Sequence, residues 1–277
     1  MTTPRSPLPP PDSFRKAQHR KAYQLAFERS LAALRRHRSR LARDNRAAEE
    51  ILARWRRHPV AGRLIFLHNL DEPVTWSLCS LLVEDADARV WRGETDAEAA
   101  ARLASAACDR LARENPPPLD LSGQAWALRG FACLAADRDR AARVAWRAGR
   151  DRQHPGHQEP HLLLLRAELE RHAGRKTFAL RLLDRASWLF RGAGNRFYGA
   201  VARLHRGLLT LDRGRLQAGA ALICSALADL DPQRAPLLMS RANQALASAL
   251  GEELSTRGLE RRWLAHRGLR LEELLSP

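Results

Sequence analysis

The chain is nearly devoid of lysine: Lys16, Lys21 and Lys176 are the only three among 47 basic residues. Its basic chemistry is therefore that of arginine, a planar fork of donors that matches carboxylates and phosphates and stacks on aromatic rings. Long apolar runs are missing too. An Arg or Asp interrupts each one before the roughly 18 residues that a membrane helix needs, so no helical span is expected. Cysteine is scarce. Cys79, Cys108, Cys133 and Cys224 are widely spaced and form no C-x-x-C pair, which argues against zinc and against a disulfide framework. Each lies in an apolar helical pattern, where a free cysteine packs as a small core residue. Strand signals are absent, because no segment alternates with period two between hairpin turns. Neither Gly-rich nucleotide fingerprint nor a G-x-S-x-G elbow occurs. Catalysis is not expected, and no cofactor is implied.

What is present is apolar periodicity and uneven charge. Hydrophobic residues make up 45% of the 277, enough to build a large core. The formal net charge is +16. Residues 1–63 carry 16 basic and 5 acidic side chains, residues 64–120 carry 5 and 11, and residues 121–277 carry 26 and 15. A basic head, an acidic neck and a basic body can steer partners of different sign to different places.

Residues 1–12 are proline-rich without an apolar segment and read as a disordered leader, not a secretory signal; a cytoplasmic protein is expected. Residues 13–72 read as a basic helical region. A first helix starts after Asp12-Ser13 and runs through Leu41, and a second carries Ile51, Leu52 and Trp55 and ends at His58-Pro59. A short apolar segment, Leu64 to Leu67, follows. Asp71-Glu72-Pro73 is expected to open the next helix, which holds Trp76 to Val83 and closes at Gly93. Thr95 and Glu98 then form a capping box. Later boundaries fall at Pro116–Pro118, Asp137 to Asp139, His154 to Pro160, Gly174, Gly192 to Gly194, Asp212 to Gly214, Asp231-Pro232 and Gly251.

Small residues recur with large ones at helical spacing in residues 73–277. Trp126, Gly130, Cys133, Ala142, Trp146 and Gly149 define one unit; Leu163, Ala167, Glu170, Ala179, Leu183 and Ala186 a second; Arg203, Gly207, Thr210, Gly219, Ile223 and Ala226 a third. Val83, Asp87, Val90, Ala99, Leu103 and Ala106 precede them, and Asn243, Ala247, Leu250, Leu259, Trp263 and His266 follow. Asp87 stands where the pattern wants a small residue. Steps of 43, 37, 40 and 40 separate positions 87, 130, 167, 207 and 247. The pattern resembles the tetratricopeptide repeat, whose period is about 34. That resemblance covers about residues 74–270. It implies an all-α, right-handed α-solenoid of antiparallel helical hairpins that acts as a non-catalytic protein-interaction scaffold. The runs Trp76 to Leu82 and Ala88-Arg89-Val90-Trp91 also resemble uncharacterised bacterial repeat proteins that often carry an N-terminal helix-turn-helix. Phe14 to Arg43 reads instead as one long basic helix without the Gly-containing turn, so no DNA-binding residues carry over.

Three candidate sites follow. First helices of such hairpins line the concave face, which implies a basic peptide-binding groove of Arg129, Arg166, Arg203 and Arg206 for an acidic or C-terminal-carboxylate partner. Arg36, Arg40 and Arg43 share one helical face and form the alternative, a nucleic-acid contact of a transcriptional regulator. His154, His157 and His161 cluster in a Pro/Gly loop, but with Glu159 as the one nearby fourth ligand they read as a polar loop, not a metal site. Among the tryptophans, Trp126 and Trp146 fit packing positions, whereas Trp91 and Trp188 are expected to be exposed.

Overall fold

The computed structural model describes residues 30–31, 38–114, 119–153 and 159–257, and every regular element among them is a helix. In chain order these are α1 over 38–55, then α2 (Val60–His68), α3 (Trp76–Arg92), α4 (Ala97–Glu114), α5 (Leu119–Ala135) and α6 (Asp139–Asp151). There follow α7 (Pro160–His172), α8 (Lys176–Gly192), α9 (Arg196–Leu211), α10 (Leu216–Leu227) and α11 (Pro236–Arg257). No described helix is long and apolar enough to cross a membrane.

Five helix ends close with one geometry. The amide just past the turn returns to a carbonyl five residues back: Glu94 to Arg89, Arg138 to Cys133, Arg175 to Glu170, Asn195 to Phe190 and Arg215 to Thr210. Such closure requires a left-handed residue. Gly93, Gly174, Gly194 and Gly214 supply it with φ between 69° and 76°, and Asp137 does so at 53°. Local chemistry thus sets the expected boundaries at these sites.

Helix starts depart from expectation where a side chain finds a better partner. Helix α3 begins at Trp76, not at Asp71-Glu72-Pro73, because the Thr75 hydroxyl accepts the Leu78 N–H and so satisfies an orphan amide. The Thr95–Glu98 box gives way to a longer-range contact: the Glu98 carboxylate accepts from Arg138, beyond α5. Helix α1 is continuous across 41–51, where two helices were expected, α11 runs through Gly251, and the Leu64–Leu67 segment lies within α2. The Asp12-Ser13 cap and the triple proline lie outside the described residues.

The helices pack in series. Pairs α3–α4, α5–α6, α7–α8 and α9–α10 each join the next through α4–α5, α6–α7 and α8–α9. Gly130, Ala142, Ala167, Ala179, Gly207 and Gly219 are all buried. A Cβ on Gly207 would lie 2.6 Å from Ile223 Cγ1 and 3.1 Å from the Gly219 carbonyl oxygen, and one on Gly219 would lie 2.9 Å from the Leu211 backbone nitrogen. Backbones of α9 and α10 therefore touch, and only glycine fits. Cys79 and Cys108 face each other across α3 and α4; their thiol contact, and then burial, raises Cys108 well above the ordinary thiol range. Both are buried core residues.

One core runs the length of the array. Ile51, Leu52, Trp55 and Leu67 belong to the same apolar cluster as Val74 and Leu78. The array also meets itself: α11 packs on α3 as well as on α9 and α10, and the Leu237 side chain fills the space beside Gly93. Two alanine substitutions in α9 test the close approach. Gly199 has open space around its Cα, so Gly199→Ala is expected to stabilise by about 0.5–1 kcal/mol through helix propensity. Gly207→Ala is expected to destabilise by about 1–3 kcal/mol through overpacking. Urea unfolding giving both changes the same sign would refute the backbone contact.

Candidate functional site

The contact between the ends of the array centres on Asp87, 5% exposed in α3. Its Oδ1 accepts from Trp91 Nε1 at 2.9 Å and from the Tyr198 hydroxyl of α9; its Oδ2 accepts from Arg234 at 2.5 Å. Arg234 in turn lies over the Phe197 ring, 3.7 Å from its centroid. Burial, and then the adjacent Asp87 charge, pushes Tyr198 well above the ordinary phenol range, so it remains a donor. Trp91 is buried, contrary to expectation, because this carboxylate satisfies its N–H and Phe131 packs 5.3 Å away between ring centroids.

Beside this cluster lies a cavity of about 320 Å³ bounded by α3, α5, α7, α9 and α11. Trp91, Phe131 and Leu238 give it apolar walls, and Glu168, His205 and the more exposed Arg241 give it polar ones. His205 Nδ1 lies 2.5 Å from Glu168 Oε1, and both residues are buried. Glu168 also pairs with Arg171 at 2.9 Å. Burial alone would raise the Glu168 carboxyl, but the charge and hydrogen bond of His205, followed by Arg171, outweigh it and hold the group well below the usual carboxylate range. An ionised carboxylate only accepts, so His205 Nδ1 donates to it. His205 Nε2 is buried without a partner.

A second buried pair sits nearby. Glu159, which caps α7 by accepting the His161 N–H at 3.2 Å, also meets His161 Nδ1. The His161 ring packs 4.3 Å from Tyr198 and 4.9 Å from Phe190, and its Nε2 has no partner. The expected polar histidine loop is thus corrected at its last member, which is core; His154 and His157 lie outside the described residues. Among the described residues, no group of three or more His, Cys, Asp or Glu could hold a metal ion.

The arginines expected to line a peptide groove are not among the residues that line this cavity. Arg129, Arg166 and Arg203 stand two residues before Phe131, Glu168 and His205, a rotation of about 200° around the helix, so they turn away from the cavity. Arg129 lies 4.8 Å over Trp126, and Arg166 lies 5.1 Å from Trp146 and 4.9 Å from Phe178. Arg203 pairs with Asp229, and Arg206 with Asp184 at 3.0 Å. Helical period tells which residues share a face, not which face turns inward. A usable signal existed: Glu168 and His205 fall three or four residues from the buried Leu164, Leu165, Val201 and Leu209. Of the alternative basic set, Arg40 and Arg43 are exposed on α1, Arg40 lying 3.9 Å from Asp44, and Arg36 is outside the described residues.

The Asp87 contact has a measurable consequence. Asp87→Ala leaves Trp91 Nε1, the Tyr198 hydroxyl and Arg234 without their acceptor and is expected to destabilise by about 3 kcal/mol or more. Tyr198→Phe, which removes one donor and leaves the carboxylate otherwise bonded, is expected to cost about 1 kcal/mol. Chemical denaturation ranking the two in reverse would refute this assignment.

No family model matches the chain, and neither a curated protein nor a solved structure is significantly similar to it.

Proposed function

We propose that this chain is a non-catalytic interaction scaffold of the tetratricopeptide type, a right-handed solenoid of antiparallel helical hairpins that holds an acidic protein partner. The observation that carries the reading is the burial of Gly130, Ala142, Ala167, Ala179, Gly207 and Gly219 at matching places in three successive helix pairs. The surface supports a basic binding strip. Arg129 and Arg152 stack on Trp126, and Arg150 and Arg166 on Trp146. Trp188, 61% exposed, has Arg185 over its ring. Arginine held on an aromatic face presents its donors in a fixed orientation, which suits carboxylate recognition. Partners co-purified from the native cell should be lost on Arg150→Ala with Arg166→Ala, while the melting temperature changes little. Undiminished capture by this variant would overturn the strip.

A nucleic-acid reading rests on a separate observation. Ala48, Ile51, Leu52 and Trp55 anchor α1 in the core, while Arg40 and Arg43 remain exposed toward its start. If those arginines meet phosphates, duplex binding in a mobility-shift titration weakens with salt, and replacing either lowers the salt slope by about one. No shift at low ionic strength would eliminate this role.

A further inference from the structure

We propose that the cavity between α3, α7, α9 and α11 is a binding site for a small organic monocarboxylate with an apolar body. Its size is the first argument. About 320 Å³ is the room of roughly ten waters at liquid density, enough for a compact acid and too little for an extended peptide. Helix α11, which packs on α3, supplies Leu237, Leu238 and Arg241 to one side of the space.

The lining is the second argument. Trp91, Phe131, Leu237 and Leu238 provide apolar surface, and the polar groups converge from three helices: Glu168 and Arg171 from α7, His205 from α9, Arg241 from α11. Glu168 is answered by His205 at 2.5 Å and by Arg171 at 2.9 Å. Arg241 has no acidic partner among the described residues. One carboxylate stands against two guanidinium groups and the charged His205 ring, so the lining is net positive and an anion is favoured.

The third argument is the unpartnered His205 Nε2. A buried polar nitrogen without a partner is rare and carries an energetic penalty of about 1–3 kcal/mol. The positive charge that His205 sets against Glu168 places a proton on both ring nitrogens: Nδ1 donates to Glu168, which orients the ring, and the Nε2–H is left as a buried donor for a ligand acceptor. A ligand carboxylate between His205 and Arg241 satisfies both, while its apolar part rests against Trp91 and Phe131. The site does not depend on the outer arginine strip, since Arg150 and Arg166 are not among the residues that line it.

Calorimetric titration of the full chain with 4-phenylbutyrate, and with 4-phenylbutanol as the uncharged match, tests this. The expected result is one site per chain for the acid and at least tenfold weaker binding of the alcohol. Arg241→Ala, at an exposed position, should weaken the acid tenfold or more without lowering the melting temperature of the free protein. His205→Gln, which can still donate to Glu168, should weaken it similarly; if that variant fails to fold, Arg241→Ala alone decides. No saturable heat at millimolar acid, equal affinity for the alcohol, or unchanged binding by Arg241→Ala would each overturn the proposal. Loss of partner capture by the Arg150 and Arg166 variant, with phenylbutyrate binding intact, would separate the two functions.

Discussion

A single buried carboxylate closes this molecule on itself. Asp87 sits in α3, yet its donors come from Trp91 one turn away, from Tyr198 in α9 and from Arg234 just before α11. Removing an ionised group from water is unfavourable unless every lone pair finds a donor. Here three donors from distant parts of the chain meet one side chain, and their convergence holds only if the first and last helix pairs lie together. The carboxylate thus acts as a specificity element more than as a source of net stability.

Closure decides what the interior becomes. Small residues at the pair contacts bring neighbouring backbones close, while large rings fill the space they enclose. Phe190 stacks on Tyr198 with centroids 5.1 Å apart, and Phe197 meets Tyr198 edge-on at 5.3 Å. These rings sit beside the two buried Glu–His pairs, and a cavity open to solvent remains next to them. None of the arginines expected in a groove lines this cavity: Arg129 and Arg166 lie against Trp126, Trp146 and Phe178, while Arg203 and Arg206 pair with Asp229 and Asp184. Two surfaces of different chemistry result, a recessed one that is apolar with a few polar groups and an outer one that alternates arginine with aromatic rings.

Much of the fold was legible in the residues. Helical class follows from period, since apolar positions recur at three and four nearly everywhere. Turns follow from local backbone chemistry: Gly174, Gly194 and Gly214 must be left-handed, and Asp137 is one of the few other residues that tolerate this conformation. Starts were less legible. The acid-proline sequence at 71–73 marked a start that Thr75 supplies instead, and Glu98 had a local partner available. Which is used depends on neighbours that arrive only when the chain folds.

The sequence by itself determined the helices, most of their ends, and the positions where backbones touch, because those depend on interactions within a few residues or on the mere absence of a Cβ. Only the tertiary structure decided the role of Asp87, the burial of Trp91 and His161, and the face on which the arginines lie. The role of Asp87 and the burial of Trp91 and His161 depend on partners more than twenty residues away, and spacing along one helix cannot say which of its faces a distant helix will cover. The residue that broke the small-residue pattern proved to be the one that joins the ends of the array, since a carboxylate there needs donors that only a closed arrangement can bring.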